Sequence, residues 1–430
     1  MNQLNQIAAD VHRDSDTDLR QTGSSGNRAY RTMSSPTDSG EVPALVLGSS
    51  LTAVGVVRSL GRAGLPVYSL CDPNELVTMS RWYRPAPQTG RHVPPVELAA
   101  YLESLSIQKA VLIPSSDNWA KATAELPAAL KDRFPASVPC PRVIQTLTDK
   151  WCFAEMLQSL GVARPKTILL RSLDEMSDLP DSQYDGMFLK PLNSQEFALR
   201  HNVKAFRLES KKQALGIMAG EGKSGAGFPI LLQEYIPGLA DKYFLVDGFA
   251  DRHHRIRALI ARRRLRMYPP TFGNSTFSET IPFGQVQEAV DTVERLCSAL
   301  KYRGIFDAEF KYDDRDGRYK MVEINARPWW FVEFATRCGV DLCRMAYDDA
   351  LDLDVKPVTT YPAGRRCFYL HNDLAAHHAA DPGVAGLLRW LHSVKGADEI
   401  LYCWDDPIPG VFSTFTALKS YLGRLLSPKN

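Results

Sequence analysis

The stretch Gly304-Ile-Phe-Asp-Ala-Glu-Phe-Lys-Tyr-Asp-Asp-Arg-Asp-Gly-Arg-Tyr-Lys-Met-Val-Glu-Ile-Asn-Ala-Arg327 decides how this chain is read. Two runs of alternating apolar and polar residues flank Asp313-Asp-Arg-Asp-Gly317. That is turn chemistry, so the stretch reads as a β-hairpin. Successive side chains of a strand point to opposite faces. Phe306, Ala308 and Phe310 therefore share one face of the first strand, and Asp307 and Glu309 share the other. In the second strand Val322, Ile324 and Ala326 share a face, and Glu323, Asn325 and Arg327 share the other. With the turn centred near Asp316, Glu309 lies opposite Glu323, and Asp307 opposite Asn325. Directly opposed like charges destabilise a sheet, so this face needs positive partners, and Arg327 supplies one charge only. Two carboxylates beside an amide oxygen form a ligand set for a hard cation such as Mg2+. The competing reading is a solvated charged face, although such a face more naturally mixes Lys and Thr with Glu.

Working outward, the spacing predicts a helix over about 285–301 and a strand-rich stretch over 242–282. Further upstream it predicts strands near 187–191, 203–208 and 230–235, with a helix near 210–219. Thr148-Asp149-Lys150 opens a helix that Gly161 stops, with Thr148 or Asp149 as its cap. The proline-rich segment Pro135–Pro141 reads as a linker. Before it, apolar runs at Pro43–Gly48, Pro66–Leu70 and Lys109–Pro114 alternate with helical pattern, the rhythm of a parallel α/β sheet. Ligands of such sheets sit beyond the strand C-termini, which makes Ser49, Ser50 and Asp117 wall candidates. The Gly48 turn lacks the G-x-G-x-x-G spacing of a dinucleotide site. Residues 1–40 read as a disordered tail. Past 355 the pattern weakens until 411–426, where apolar residues at 412, 415, 418, 422, 425 and 426 predict an amphipathic helix docked on the body. Trp390 and Trp404 are expected to be buried with it.

Length and composition set the limits. A chain of 430 residues suggests two or three domains at about 150 residues each. Its 51 Lys+Arg against 49 Asp+Glu give no general field for nucleic acid or an anionic membrane. No apolar run is long enough to span a bilayer, and no secretory leader is expected. The eight cysteines form no CxxC pair, and the adjacent pairs His253-His254 and His377-His378 do not share a face, so no zinc site is expected. The segment Arg255–Arg266 holds six arginines on a strand-like alternation. They are either a solvated face or, in part and with Arg266 the first choice, a site for a substrate carboxylate or a phosphate.

Glu309 followed by Glu323-Ile-Asn325-Ala-Arg327 resembles the metal and phosphate end of the ATP-grasp superfamily, whose enzymes ligate a carboxylate to an amine or a thiol through an acyl phosphate. Other pieces stand in the matching order. Asp149-Lys150 opens the central helix, Phe188-Leu-Lys190-Pro191 ends a strand on a lysine, and Leu231-Leu-Gln-Glu234-Tyr-Ile-Pro-Gly238 resembles the hinge strand that holds adenine. More narrowly, Tyr268-Pro-Pro-Thr-Phe-Gly273 and Asp405-Asp-Pro-Ile-Pro409 are similar to predicted ATP-grasp carboligases related to D-aspartate ligases. The resemblance covers about residues 43 to 350. It implies an α/β chain, α+β in its nucleotide-binding part. The expected order is a Rossmann-like domain over 41–145, an ATP-grasp domain over 146–354 with a hinge near 233–238, and a C-terminal extension over 355–430 packed on it.

It further implies ATP, with Mg2+ or Mn2+ on Glu309, Glu323 and Asn325. Lys150 and Lys190 would meet the phosphates, Gln233, Glu234, Tyr235 and Ile236 would hold adenine and ribose, and Arg327 would act in catalysis. Arg266, Ser115 and Asp117 are candidates for the substrate, and Trp329-Trp330 either line the acceptor pocket or pack in the core. The implied activity is a cytoplasmic carboxylate–amine ligase releasing ADP and phosphate. Its implied partners are small-molecule acids and amines, with no nucleic acid and no membrane span; homodimers are common among such ligases. Bicarbonate activation of the biotin-carboxylase kind and a non-catalytic nucleotide-binding module are the alternatives. One departure stands out: residues 192–202 contain no glycine where the family has a phosphate lid, leaving Ser194, Arg200 or Lys204 for that task.

Overall fold

A computed structural model describes residues 40–87, 92–192, 205–222, 228–270 and 272–426. The tail over 1–39 and the lid candidates Ser194, Arg200 and Lys204 lie outside the described residues. The chain forms two compact units. One comprises Asp149–Gly238 and Lys311–Val322, and the other holds the rest of the described chain.

The larger unit begins with strands β1 (Ala44–Leu47), β2 (Val67–Leu70) and β3 (Val111–Pro114), every residue of which is buried. They form a parallel sheet in the order β2-β1-β3. The helix Leu51–Arg62 connects the first two strands. Gly48, at φ 112°, follows β1, and a Cβ there would lie 2.4 Å from Ser115 Oγ. Only glycine lets the turn pass so close to the end of β3. The core of this sheet is continuous with the helices Val332–Arg337 and Leu342–Ala350, through Val46, Val54, Val332, Phe334 and Tyr347.

The smaller unit is built on β4 (Thr167–Leu170), β5 (Met187–Pro191), β6 (Phe206–Arg207) and β7 (Ile230–Glu234), in the order β4-β7-β5-β6. The helix Lys150–Ser159 is capped by Asp149, whose carboxylate accepts from Trp151 N and Cys152 N. Thr148 is not the cap; it closes a separate helix, Pro141–Thr148, in the larger unit. The expected linker therefore ends one residue earlier than read, because proline is well suited to the first turn of a helix.

The third sheet has seven strands: β8 (Tyr243–Ala250), β9 (Ile256–Tyr268), β10 (Asn274–Thr280), β11 (Gly304–Asp313), β12 (Arg318–Asn325), β13 (Arg366–Phe368) and β14 (Asp398–Glu399). Their order is β12-β11-β8-β9-β10-β13-β14. β11 and β12 are the hairpin read from the sequence, and Phe306, Ala308 and Phe310 on its apolar face are fully buried.

The C-terminal region adds the two short strands β13 and β14 to this sheet and carries three helices, Leu370–Ala380 and Val384–Ser393 between those strands and Pro407–Leu426 after them. Two expectations fail here. Trp390 is buried and donates Nε1–H to Asp373 at 2.8 Å, but Trp404 is 88% exposed. The last helix forms, but it buries Ser413, Ala417 and Tyr421 and leaves Phe412, Phe415 and Leu418 in solvent.

Candidate active site

The polar face of the seven-stranded sheet carries a continuous row of charged and amide side chains. Arg262 on β9 is 1% exposed. Its Nε donates to Asp247 on β8, and its Nη2 donates to Asp307 on β11 at 3.3 Å. Asp307 also accepts from Asn325 Nδ2 on β12 at 3.0 Å, which is the cross-strand partnership the hairpin register predicts. Asn325 Oδ1 in turn accepts from Arg327 Nη2 at 3.2 Å. Arg327 places Nε and Nη2 on the two carboxylate oxygens of Asp117, at 2.8 and 3.2 Å. The row therefore runs Asp247, Arg262, Asp307, Asn325, Arg327, Asp117, with donors and acceptors in alternation.

The two arginines that offset the hairpin carboxylates come from β9. Arg264, two residues from Arg262 and so on the same face, donates Nη2 to Glu309 at 2.8 Å and Nε to Ser275 at 2.7 Å. The reading of the arginine run as a mostly solvated face is thus corrected for Arg262 and Arg264, both buried. Period-2 alternation turns them inward and turns Arg263 outward to Glu279. Arg266 pairs through two nitrogens with the buried carboxylate of Asp373 and reaches Ser393.

Carboxylates outnumber cations on this face: Asp117, Asp247, Asp307, Glu309 and Glu323 stand against Arg262, Arg264 and Arg327, with Lys311 next along the same face of β11. Burial raises the Glu309 carboxyl above its ordinary pKa; Arg264 opposes this, and Glu323 and Asp307 add to it. Burial also works against the charge of Arg327, but Asp117 first, then Asp307 and Glu323, hold its pKa above the ordinary guanidinium value. Among the described residues no three or more His, Cys, Asp or Glu side chains form a metal cluster. The donor set is two carboxylates and one amide, a set that fits Mg2+ because that ion draws its remaining ligands from water and phosphate.

Around the row, Trp329 is buried with its ring centroid 5.1 Å from the Arg262 guanidinium, so it is a core residue that also steadies a charge. Trp330 is half-buried and lies edge-on to Tyr369. Ser115 is buried and donates to Leu47 O at 2.7 Å. Asp117 is the first residue of the helix Asp117–Ala124, which Ser116 caps.

The smaller unit holds the other candidates. Gln233 is buried on β7; its Nε2 donates to Thr167 at 3.0 Å, which turns its Oε1 toward Lys190 Nζ at 3.5 Å. The ladder pairs Phe188 with Gln233, so Lys190 and Gln233 are diagonal neighbours on one face. Lys150 Nζ donates to Pro191 O at 2.9 Å and Leu192 O at 2.8 Å, which brings it to the end of the same strand as Lys190. Glu234 accepts from Lys166 N at 3.0 Å and from Arg315 in the hairpin turn. Tyr235 N donates to Gly186 O at 2.8 Å, and its ring lies beneath both Arg207 and Lys311, each 4.9 Å from its centroid. Ile236 is buried. Sequence reasoning did not single out Lys311, Arg262, Arg264 or Asp247. The signal for the first was a lysine two residues after Glu309, on the same polar face of the strand; the others depend on pairing between strands far apart in sequence.

No protein-family model matches the chain. A D-aspartate ligase of Enterococcus faecium is 23% identical over 331 residues, spanning 74% of this chain and 78% of that protein. The structure of an N5-carboxyaminoimidazole ribonucleotide synthetase, solved as an ADP complex, matches with a TM-score of 0.58 at 12% identity, over 83% of this chain and 86% of that one. An L-amino acid ligase from Bacillus licheniformis matches with a TM-score of 0.52 at 13% identity, over 76% and 78%. At such identities the structural likeness establishes the arrangement of the chain.

Proposed function

We propose that this chain is an ATP-grasp ligase that joins a small carboxylate to an amine, driven by ATP; its distant homology to a D-aspartate ligase and its shared fold with an N5-carboxyaminoimidazole ribonucleotide synthetase support this reading. In this reading a substrate carboxylate oxygen attacks the γ-phosphorus of ATP, the bond to the β-phosphate oxygen breaks, and ADP leaves. The amine nitrogen then attacks the acyl carbon, the bond to phosphate breaks, and the nitrogen gives up a proton. Positioning and charge stabilisation dominate such chemistry.

The observation that supports this reading is the unbalanced row on the polar sheet face. Glu309, Glu323 and Asn325 would hold Mg2+, which when bound neutralises the phosphate oxygens. Arg327 would steady the transferring phosphoryl group and the acyl phosphate, because its planar fork matches their oxygens. Asp117 and Asn325 hold that fork in one orientation, so Asp117 is assigned as a positioning residue. Lys190 and Lys150 would meet the ATP phosphates. Gln233, Glu234, Tyr235 and Ile236 would hold adenine and ribose, with Lys311 beside Tyr235. Ser115, which donates to Leu47 O, and Arg266, which pairs with Asp373, are candidates for contact with the substrate.

ADP release with Mg2+-ATP, measured over amino acids, dipeptides, sugar acids and bicarbonate with and without amine acceptors, tests the proposal. Acid- and amine-dependent release, lost in Glu323→Ala, supports it. Release that needs bicarbonate alone would move the chain to carboxylation, and turnover unchanged in Glu323→Ala would remove the proposal.

A further inference from the structure

Of the twelve large apolar side chains most open to solvent among the described residues, nine fall between Val384 and Leu418. On the terminal helix they are Ile408, Val411, Phe412, Phe415 and Leu418, a helical stripe at spacings of three and four residues. Trp404, three residues before that helix, is the most exposed of the nine. Val384, Leu388 and Leu391 form a matching stripe on the helix Val384–Ser393. Both helices pack on Leu370–Ala380. Scattered exposed apolar residues are ordinary, but a stripe of this size on one element marks an interaction surface.

Charge indicates what covers it. From Pro407 to Asn430 the sequence has no Asp or Glu and carries Lys419, Arg424 and Lys429. From Val384 to Gly396 it again has no acid and carries Arg389, His392 and Lys395. The acids nearest in sequence are engaged: Asp381 by Arg389, Asp398 by Arg365, Asp405 by Arg62 and Asp406 by Arg58. A symmetric contact with a second copy would set this surface against itself and bring Lys395 and Lys419 toward their counterparts with no acid on either helix to answer them, Arg389 alone being paired, with Asp381. Apolar and aromatic residues bordered by lysine and arginine instead match a bilayer surface with anionic headgroups. No described helix is long and apolar enough to cross a membrane, so the contact would lie in the interface plane.

We propose that the terminal helix, together with Val384–Ser393, docks this protein on an anionic lipid bilayer. Flotation of the full chain with vesicles of phosphatidylcholine, alone or mixed with phosphatidylglycerol, tests it. The wild type should float with the mixed vesicles, and high salt should weaken this. Phe415→Glu/Leu418→Glu should reduce partitioning on the order of a hundredfold, with its circular dichroism and ADP release unchanged. Lys419→Glu, a milder change, should reduce it about tenfold. Three results would overturn the proposal: failure of the wild type to float, equal binding to neutral vesicles, or equal binding by both variants. A concentration-dependent dimer in sedimentation velocity, lost in Phe415→Glu/Leu418→Glu, would assign the surface to a second copy and overturn it as well.

Discussion

The polar face of the seven-stranded sheet and the β5–β7 face of the smaller unit are held in different ways. On the first, each charged side chain is fixed by another side chain, from Asp247 through to Asp117. On the second, Lys150 rests on backbone carbonyls, Tyr235 is held through its backbone N–H, and one amide, Gln233, sets the face. The difference follows from burial. A charge taken out of water must be answered by a partner, whereas a half-exposed lysine is answered largely by solvent. The first region is therefore fixed side chain to side chain, and the second holds Lys150 through main-chain carbonyls and Lys190 through one amide.

The most severe way to break this contrast is to remove Arg262. Arg262→Leu leaves Asp247 buried without its cation and Asp307 with Asn325 alone, and should destabilise the chain by about 3–5 kcal/mol in urea unfolding. A loss below about 1 kcal/mol would mean the row is not the rigid element described here. Next, Glu323→Ala should lower kcat for ADP release roughly a hundred- to thousandfold, the scale of removing one stabiliser of transition-state charge. Asp117→Asn sharpens the same side: kcat should fall about tenfold while the KM for ATP stays put, as expected when Arg327 keeps its place but loses its alignment. On the other face, Gln233→Ala should raise the KM for ATP about tenfold with little change in kcat, the inverse split.

The smallest effect belongs to the hairpin turn. Asp313 accepts from Arg315 and Lys320, and these bonds hold its carboxyl far below the usual range. A depressed folded pKa stabilises the fold above the unfolded value of about 3.9, and that stability is lost as pH falls through the folded value. Asp313→Asn should therefore flatten the acid limb of a pH–stability curve and leave its alkaline side parallel to the wild type.

Much of this was legible in the sequence because it is local. The hairpin, its two faces, the Asp307–Asn325 pairing and the three parallel strands all follow from period-2 alternation and turn residues. Asp149 as cap is likewise a short-range signal. What was missed depends on distance. Arg262 and Arg264 sit in a run of arginines whose solvated members look identical until β8 and β11 are placed beside β9. Glu234 finds Arg315 across 81 positions of sequence. The terminal helix was read correctly as a helix but with the wrong face buried, because periodicity marks the apolar stripe and not which side has room to pack.

The alternating row has a practical consequence for anyone redesigning this protein. A replacement within it is epistatic by construction: Asn325 spends its amide on Asp307 and its oxygen on Arg327, so a new side chain at any of the three changes what the other two must be. Libraries that vary these positions one at a time would return almost nothing but losses. The smallest useful mutational step there is a matched pair.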